Sequence, residues 1–581
     1  MGETSRTFTI PKSTGTHGDV FAAVGLADLL AQIPGVGDAR IVETDDGFGI
    51  ISPIRLDDTE FSKLPHVPGY PYLRVNEKAK APRNAVDVID YKAEKAKADR
   101  RKQAAEKKRA KKAKALDAET QEIMQQEELR PDWRLLQVLN ALQGDETTNK
   151  VHAAIVSRSG HIFRKEVAAS LEALVQGKES GLDWELSTVQ LFTPTSAKGY
   201  SRLKPDSTDR NDKTKEQWAD PFIEWLKYRG YFRVACPYFQ GQKGEHVRLL
   251  CPIPHDIGVR ALESVAQELR SRSVYVGSPK VDILAVLSLA ELLIMHSEEY
   301  HEKGTEVFPG LSLRGKNPCE LISAVAATNY QSLGNAKAVS AMSVIAVPGW
   351  FPIQTNEDAT FWLSILNEHQ RVVWGLQDDY SNEIGLLLDY RRFLEHRGEP
   401  ALWALVEFMV RYGALIMRSN GVKQENRIRW MTRFTGEYFR RIVSEMNTTL
   451  NEIMNDSGFD AVARAVRQAT VTAQNKRARN GEVWREIRYD LLHDIHRTRK
   501  VPGNAFLECI SEFISRYNYE NARQREITQN PKAAPANVSD EELKSFVALL
   551  DQHGASTVGA LLAAYGTCKE KWEGDEQSAR S

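Results

Sequence analysis

The sequence predicts an α+β N-terminal domain followed by a mainly α-helical C-terminal bundle. Three observations predict it. A helix-like apolar run leads into a two-strand turn signature before residue 55, alternating apolar segments with turn residues continue to about residue 255, and helical periodicity takes over beyond that point. At 581 residues the chain exceeds the size at which one hydrophobic core stops growing. We therefore read a domain at 1–255 with a basic insert at about 91–130, a mostly helical middle region at 256–400, and a helical bundle at 401–581.

Asp19 to Leu30 places apolar residues at helical spacing and stops at Pro34-Gly35, so a helix is expected there. Ala39–Val42 and Phe48–Ile54 read as strands joined by Asp45-Asp46-Gly47, a hairpin signature. Lys92 to Lys114 holds twelve Lys/Arg against three Asp/Glu, with no Gly or Pro. It has too few apolar residues to bury a face, which makes it a solvated basic helix or a disordered arm, either touching phosphates or serving as a spacer. Trp133–Leu142 reads as an amphipathic helix, and Val151–Ile155, Leu186–Phe192 and Tyr231–Ala235 as strands. Lys198 to Lys215 is polar and reads as an exposed loop. Cys236-Pro237 and Cys251-Pro252 bracket a hairpin turning at Gln240–Gly244. Val259–Arg270, Ile283–His296 and Leu321–Thr328 carry helical spacing, and Trp403 to Tyr565 reads as nearly all helix, with a capping box at Ser539-Asp-Glu-Glu542.

Composition narrows the function classes. The net charge is −1, so attraction to a polyanion has to come from local segregation of charge. The five cysteines (Cys236, Cys251, Cys319, Cys509, Cys568) form no CxxC pair, which speaks against a disulfide framework or a zinc site. Apolar stretches such as Val281–Met295 are shorter than a bilayer span and contain charges, and Met1–Lys12 lacks a secretory pattern. A cytoplasmic protein with no membrane association is the expectation.

Phosphate-binding GxxxxGK[ST], dinucleotide-binding GxGxxG, GxSxG and HExxH patterns are absent. His493-Asp494 is the nearest approach to a catalytic element, because a helical His-Asp pair is one part of metal-dependent nucleases and phosphohydrolases. Such sites need further ligands, and none stand out, so we assign no catalytic residue, no metal and no cofactor. The phosphohydrolase is the alternative reading.

Basic residues give the stronger signal. Between Gly458 and Lys500 ten Lys/Arg face five Asp/Glu. Arg464, Arg467, Lys476, Arg477, Arg479, Arg485 and Arg488 are candidate DNA-binding residues, suited to gripping backbone without reading sequence. A charged solvent face is the plainer alternative. A second set, Arg427, Arg429, Arg433, Arg440 and Arg441 among Trp430, Phe434, Tyr438 and Phe439, reads as packing. Two loops carry side chains suited to base edges or phosphates: Lys198, Arg202 and Lys204, and Arg314, Lys316 and Asn317 around Gly315.

An ordered set of strings then suggests a family. Phe459 to Val471, Ile487-Arg-Tyr-Asp-Leu491, Phe506 to Tyr517 leading into Tyr517-Asn-Tyr-Glu-Asn521, Leu549 to Gly554 and Leu561-Leu-Ala-Ala-Tyr-Gly566 together resemble the C-terminal region of the eighth Cas family. That family is the large subunit of type I CRISPR Cascade complexes of the A- and B-like subtypes. The resemblance covers about 120 residues, and the basic insert has no counterpart in it. It implies a non-enzymatic subunit that partners crRNA, target double-stranded DNA, the backbone, guide 5′-end cap and small subunits, and a recruited helicase-nuclease. It also implies recognition of the protospacer-adjacent motif and stabilisation of displaced strand in the R-loop. In such systems a small subunit can arise by internal translation, for which Met409, Met417, Met431 and Met446 are candidate starts here.

Overall fold

The computed structural model describes residues 6–53, 58–75, 80–110, 128–142, 144–184, 189, 191–192, 194, 220–240, 246–272, 278–302, 304–333, 336–377, 381–419, 423–424, 427–481 and 484–570. An N-terminal region of strands and helices is followed by a mostly helical C-terminal part. The chain divides into two compact units: Met1–Ser278, Leu292–Leu313 and Pro318–Val347 form the first, and Pro279–Glu291, Arg314–Asn317 and Pro348–Ser581 the second.

The first unit opens with β1 (Arg6–Pro11), α1 (His17–Ala31), β2 (Arg40–Glu43) and β3 (Gly47–Ser52). The β2–β3 hairpin turns where Asp45-Asp46-Gly47 predicts it, and β1 pairs with β3 from Arg6↔Ser52 to Pro11↔Gly47. Next come α2 (Asp58–Ser62), the parallel pair β4 (Tyr72–Arg74) and β5 (Val88–Asp90), α3 (Tyr91–Ala110), α4 (Trp133–Ala141), α5 (Asp145–Ser157), α6 (Gly160–Val175) and α7 (Pro221–Val234). The basic segment is thus helical to Ala110, and its remainder lies outside the described residues. Then follow β6 (Cys236–Gln240), β7 (His246–Pro254), β8 (Asp256–Gly258), α8 (Val259–Ser271), α9 (Ser278–Met295), whose residues 279–291 belong to the second unit, β9 (Ile322–Leu333) and β10 (Ala336–Ala346). Two antiparallel sheets result, ordered β1-β3-β2-β8 and β10-β9-β7-β6.

At the centre of this unit lie α1 and α7. Every residue of α1 from His17 to Leu30 is buried, as expected of a helix with apolar residues on all sides. The two helices meet backbone to backbone at glycines: a Cβ on Gly25 would stand 1.9 Å from the Leu226 carbonyl oxygen, and one on Gly230 1.9 Å from that of Phe21. Asp28 of α1 accepts a hydrogen bond from Arg229 Nη2 of α7 and pairs with Arg233 Nε at 3.1 Å, while Lys227 Nζ donates to the buried Glu224 at 2.6 Å. His17 is buried between Leu191, whose carbonyl lies 2.7 Å from Nε2, and Thr328, whose hydroxyl lies 3.0 Å from Nδ1, and burial lowers its pKa to about 4.

Four segments differ from their sequence expectations. Val151–Ile155 lies in helix α5, where Val151 and Ile155 are one helical turn apart and buried together, a spacing that a five-residue apolar run cannot distinguish from a strand. Tyr231–Val234 is the last turn of α7, a helix begun by Asp220, whose side chain accepts from the Phe222 and Ile223 amides, and by Pro221 at its first position. The start is local, so β-favouring residues continue it. Leu191 and Phe192 sit in a turn closed by Phe192 N donating to Val189 O at 3.0 Å, and much of 186–190 lies outside the described residues. Leu321–Thr328 lies mostly in strand β9, paired on one side with β7 and on the other with β10. Its helical spacing is overruled by backbone pairing with β7, far back in the sequence, and with β10, the next strand.

The second unit contains α10 (Asn356–Gly375), α11 (Ser381–Glu395), α12 (Glu399–Ser419), the short pair β11 (Lys423–Gln424) and β12 (Arg427–Ile428), α13 (Gly436–Met446), α14 (Thr448–Asn455), α15 (Ser457–Arg467), a π-helical turn (Gln468–Thr472), α16 (Ala473–Asn480), α17 (Leu491–Thr498), α18 (Ala505–Thr528), α19 (Asp540–His553) and α20 (Ala555–Tyr565). The expected capping box opens α19: Ser539 accepts from the Glu542 amide and Glu542 from the Ser539 amide. Helix α12 is the one helix among the described residues long and apolar enough to cross a membrane, and 67% of that window is buried within the protein. It exceeds the Val281–Met295 stretch singled out from sequence, and it packs against α11 and α20.

Candidate nucleic-acid interface

The basic stripe predicted from sequence falls on α15, the π turn, α16 and the segment leading to α17. A π turn leaves its carbonyls out of step with the helical ladder. Here the Ala469 carbonyl accepts from the Arg488 amide at 2.9 Å, which ties the 484–489 segment onto the turn.

The predicted cations do not form one free row. Arg467 is 4% exposed, 2.6 Å from Glu570 and over the Tyr565 ring at 5.4 Å. Arg485 is also 4% exposed; it donates to Asn521 Oδ1 and lies over the rings of Trp484 at 4.7 Å and Tyr517 at 4.1 Å. Arg488 bridges Glu520 and Glu486, each at 2.5 Å, and half-buried Arg464 stands 3.6 Å from Glu542. Lys476 and Arg477, in the middle of α16, are exposed. The side chain of Arg479 lies outside the described residues.

Sequence reasoning passed over two rings on the same segment. Trp484 is 39% exposed and Tyr489 47% exposed. Their signal was the string Trp484-Arg-Glu-Ile-Arg-Tyr489, in which two rings bracket two arginines. The two arginines turn inward to α18 and hold the segment, while the two rings stay in contact with solvent. Flat faces beside cations suit a strand with unstacked bases.

The strings that carry the family resemblance have structural work in this unit. Within Tyr517–Asn521, Tyr517 lies under Arg485, Asn518 exchanges two hydrogen bonds with the Val538 backbone (2.8 and 3.0 Å), Glu520 holds Arg488, and Asn521 accepts from Arg485. Tyr565 lies beneath both Arg440, at 4.9 Å, and Arg467. These residues fix α18 and α20 to the rest of the bundle.

The remaining candidates are placed as follows. Lys198, Arg202 and Lys204 lie outside the described residues. Arg314 and Lys316 flank Gly315, whose φ of +72° makes the tight turn, and the loop is anchored by Gly315 N donating to Ile353 O at 2.9 Å and Ile353 N to Lys316 O at 2.8 Å. Arg314 is exposed, whereas Lys316 and Asn317 are half-buried. In the second arginine set, Arg429 grips Glu383 with two hydrogen bonds of 2.7 Å, Arg433 donates to the Thr567 and Cys568 carbonyls, and Phe434, Tyr438 and Phe439 are buried. His493 is exposed, and Asp494 stands 3.5 Å from Arg497. Among the described residues no group of three or more His, Cys, Asp or Glu is placed to hold a metal.

No protein-family model matches the chain, and no curated protein matches it.

Proposed function

We propose that this chain is a non-catalytic, cytoplasmic, nucleic-acid-binding subunit of a crRNA-guided surveillance complex, the large subunit of a type I Cascade. The observation that carries the binding reading is that Lys476, Arg477, Trp484 and Tyr489, close together in the sequence of the bundle, are all exposed. Cations there meet phosphates and rings meet bases, an arrangement that holds a strand without reading its sequence. The ordered strings between Phe459 and Gly566 support the assembly. Within it, the chain would contact crRNA and the other Cascade subunits, recognise the protospacer-adjacent motif, hold displaced strand and help recruit a helicase-nuclease. Chemistry would reside in that recruited partner.

The test is binding of the chain, alone and with a crRNA-bearing set of neighbouring proteins, to duplexes carrying varied flanking trinucleotides across a salt series. Flank-dependent binding limited to the assembled complex is the expected result. Equal, steeply salt-dependent binding to every duplex would reduce the function to phosphate binding, and no binding in either setting would overturn it.

A further inference from the structure

The first unit contains a cavity of about 520 Å³ that the nucleic-acid reading does not use. Its size is that of a site for a small organic ligand. It lies among the loop at Val67–Pro71, residues Val86-Asp87 and Arg130–Asp132, the end of α7 and one face of α8.

Its charges are already neutralised. Arg130 is held by Asp87 through two hydrogen bonds of 3.1 and 2.9 Å and by Asp132 through two of 3.0 and 3.1 Å, and Arg233 by Asp28 and Glu263. No surplus cation remains on these two arginines for an anion. Asp87 holds Arg130 from a left-handed backbone conformation, φ +50°, which costs a non-glycine residue energy and needs support from its surroundings. That support comes in part from Tyr72 N donating to Asp87 O at 3.1 Å.

What the cavity offers a ligand is flat and hydrogen-bonding. Tyr70 and Phe232 stack nearly parallel, with centroids 5.9 Å apart and planes 10° apart, and Pro68, Pro71 and Pro131 add apolar surface. Around these surfaces stand both kinds of hydrogen-bonding group. Arg270 is half-buried, with its Nη2 fixed by the Arg233 carbonyl at 2.9 Å. Glu263 directs only Oε1 to Arg233, at 2.8 Å, and Gln267 is exposed at the rim.

We infer that this cavity binds a planar heterocycle of nucleobase type, neutral in its ring and bearing both donors and acceptors on its edge. The ring would lie against the Tyr70–Phe232 wall, with Gln267 donating to its edge and Glu263 accepting from it. The heterocycle has two sources, a free nucleotide or a base everted from a strand, and both present the same edge.

The test uses the full chain and titration calorimetry with GMP, AMP, CMP and UMP, alongside eight-nucleotide single strands containing each base. Val86 lines the cavity and is 45% exposed, so Val86→Trp fills the mouth without entering the core. Expected is saturable binding by one or more probes that Val86→Trp abolishes and Gln267→Ala weakens about tenfold, with the melting temperature of each variant unchanged. Mononucleotide binding assigns the free source, and binding by strands alone assigns the everted base. Absence of binding by every probe, or binding indifferent to both variants, would overturn the inference. Arg477→Ala separates this site from the interface in the second unit: strand binding lost on Arg477→Ala but retained in Val86→Trp belongs to that interface and counts against the cavity.

Discussion

In the first unit, charge is buried between helices; in the second, it is bound at the edge of the bundle. Between α1 and α7, Asp28, Arg229, Glu224 and Lys227 are all under 9% exposed and answer one another across or along a glycine-lined contact. Around the π turn of the second unit, Arg464, Arg488 and Arg485 reach acids or amides on α18 and α19, and the rings beside them remain open to water. The contrast shows that an arginine-rich sequence is no measure of available positive charge. Among the described residues these arginines hold helices and segments together, and the candidate interface consists of the exposed side chains beside them.

Removing a charge from the buried contact should have the largest effect. Arg229→Ala leaves Asp28 in a dry site with Arg233 and the Gln32 amide as partners and should cost about 4 kcal/mol by denaturant unfolding of the first unit. A cost below about 1 kcal/mol would mean that the pair is dispensable. Arg485→Ala should cost about 3 kcal/mol, because Asn521 and the Tyr517 ring lose their shared partner while Glu520 keeps Arg488. A calorimetric scan should show this loss in the second unit's transition.

Acid provides a third test. His17 has a folded-state pKa of about 4 against an ordinary 6.5, so the unfolded chain binds the proton more readily between those values. Stability from this group is complete above about pH 6.5 and is lost as pH falls towards 4, by up to about 3 kcal/mol. His17→Gln should make that part of the first unit's pH–stability curve shallower, the remaining slope coming from His152, whose pKa burial also lowers to about 4. In the second unit His369, whose pKa burial lowers to about 3, would go on responding. The smallest stability effect belongs to the exposed cations. The double change Lys476→Ala, Arg477→Ala should alter unfolding by less than about 0.5 kcal/mol. It should nonetheless reduce the salt dependence of single-strand binding, by about 1.4 in the log–log slope if each side chain meets one phosphate.

The sequence by itself determined the α+β opening, the Asp45-Asp46-Gly47 and Gln240–Gly244 hairpins, the largely apolar α1 and the Ser539 capping box. Each depends on residues within a few positions of one another, through turn geometry, capping or periodicity, and so is written locally. Only the tertiary structure decided that Leu321–Thr328 joins a strand, that Val151–Ile155 is helical, and that Arg467 and Arg485 face inward while Trp484 and Tyr489 face out. Those outcomes depend on partners distant in the chain: β7 for β9, Glu570 and Tyr565 for Arg467, Asn521 for Arg485, and the π-turn carbonyl of Ala469 for the segment that carries the rings. Local spacing records where a side chain can point. The free energy of pairing a backbone edge or a buried charge decides where it does.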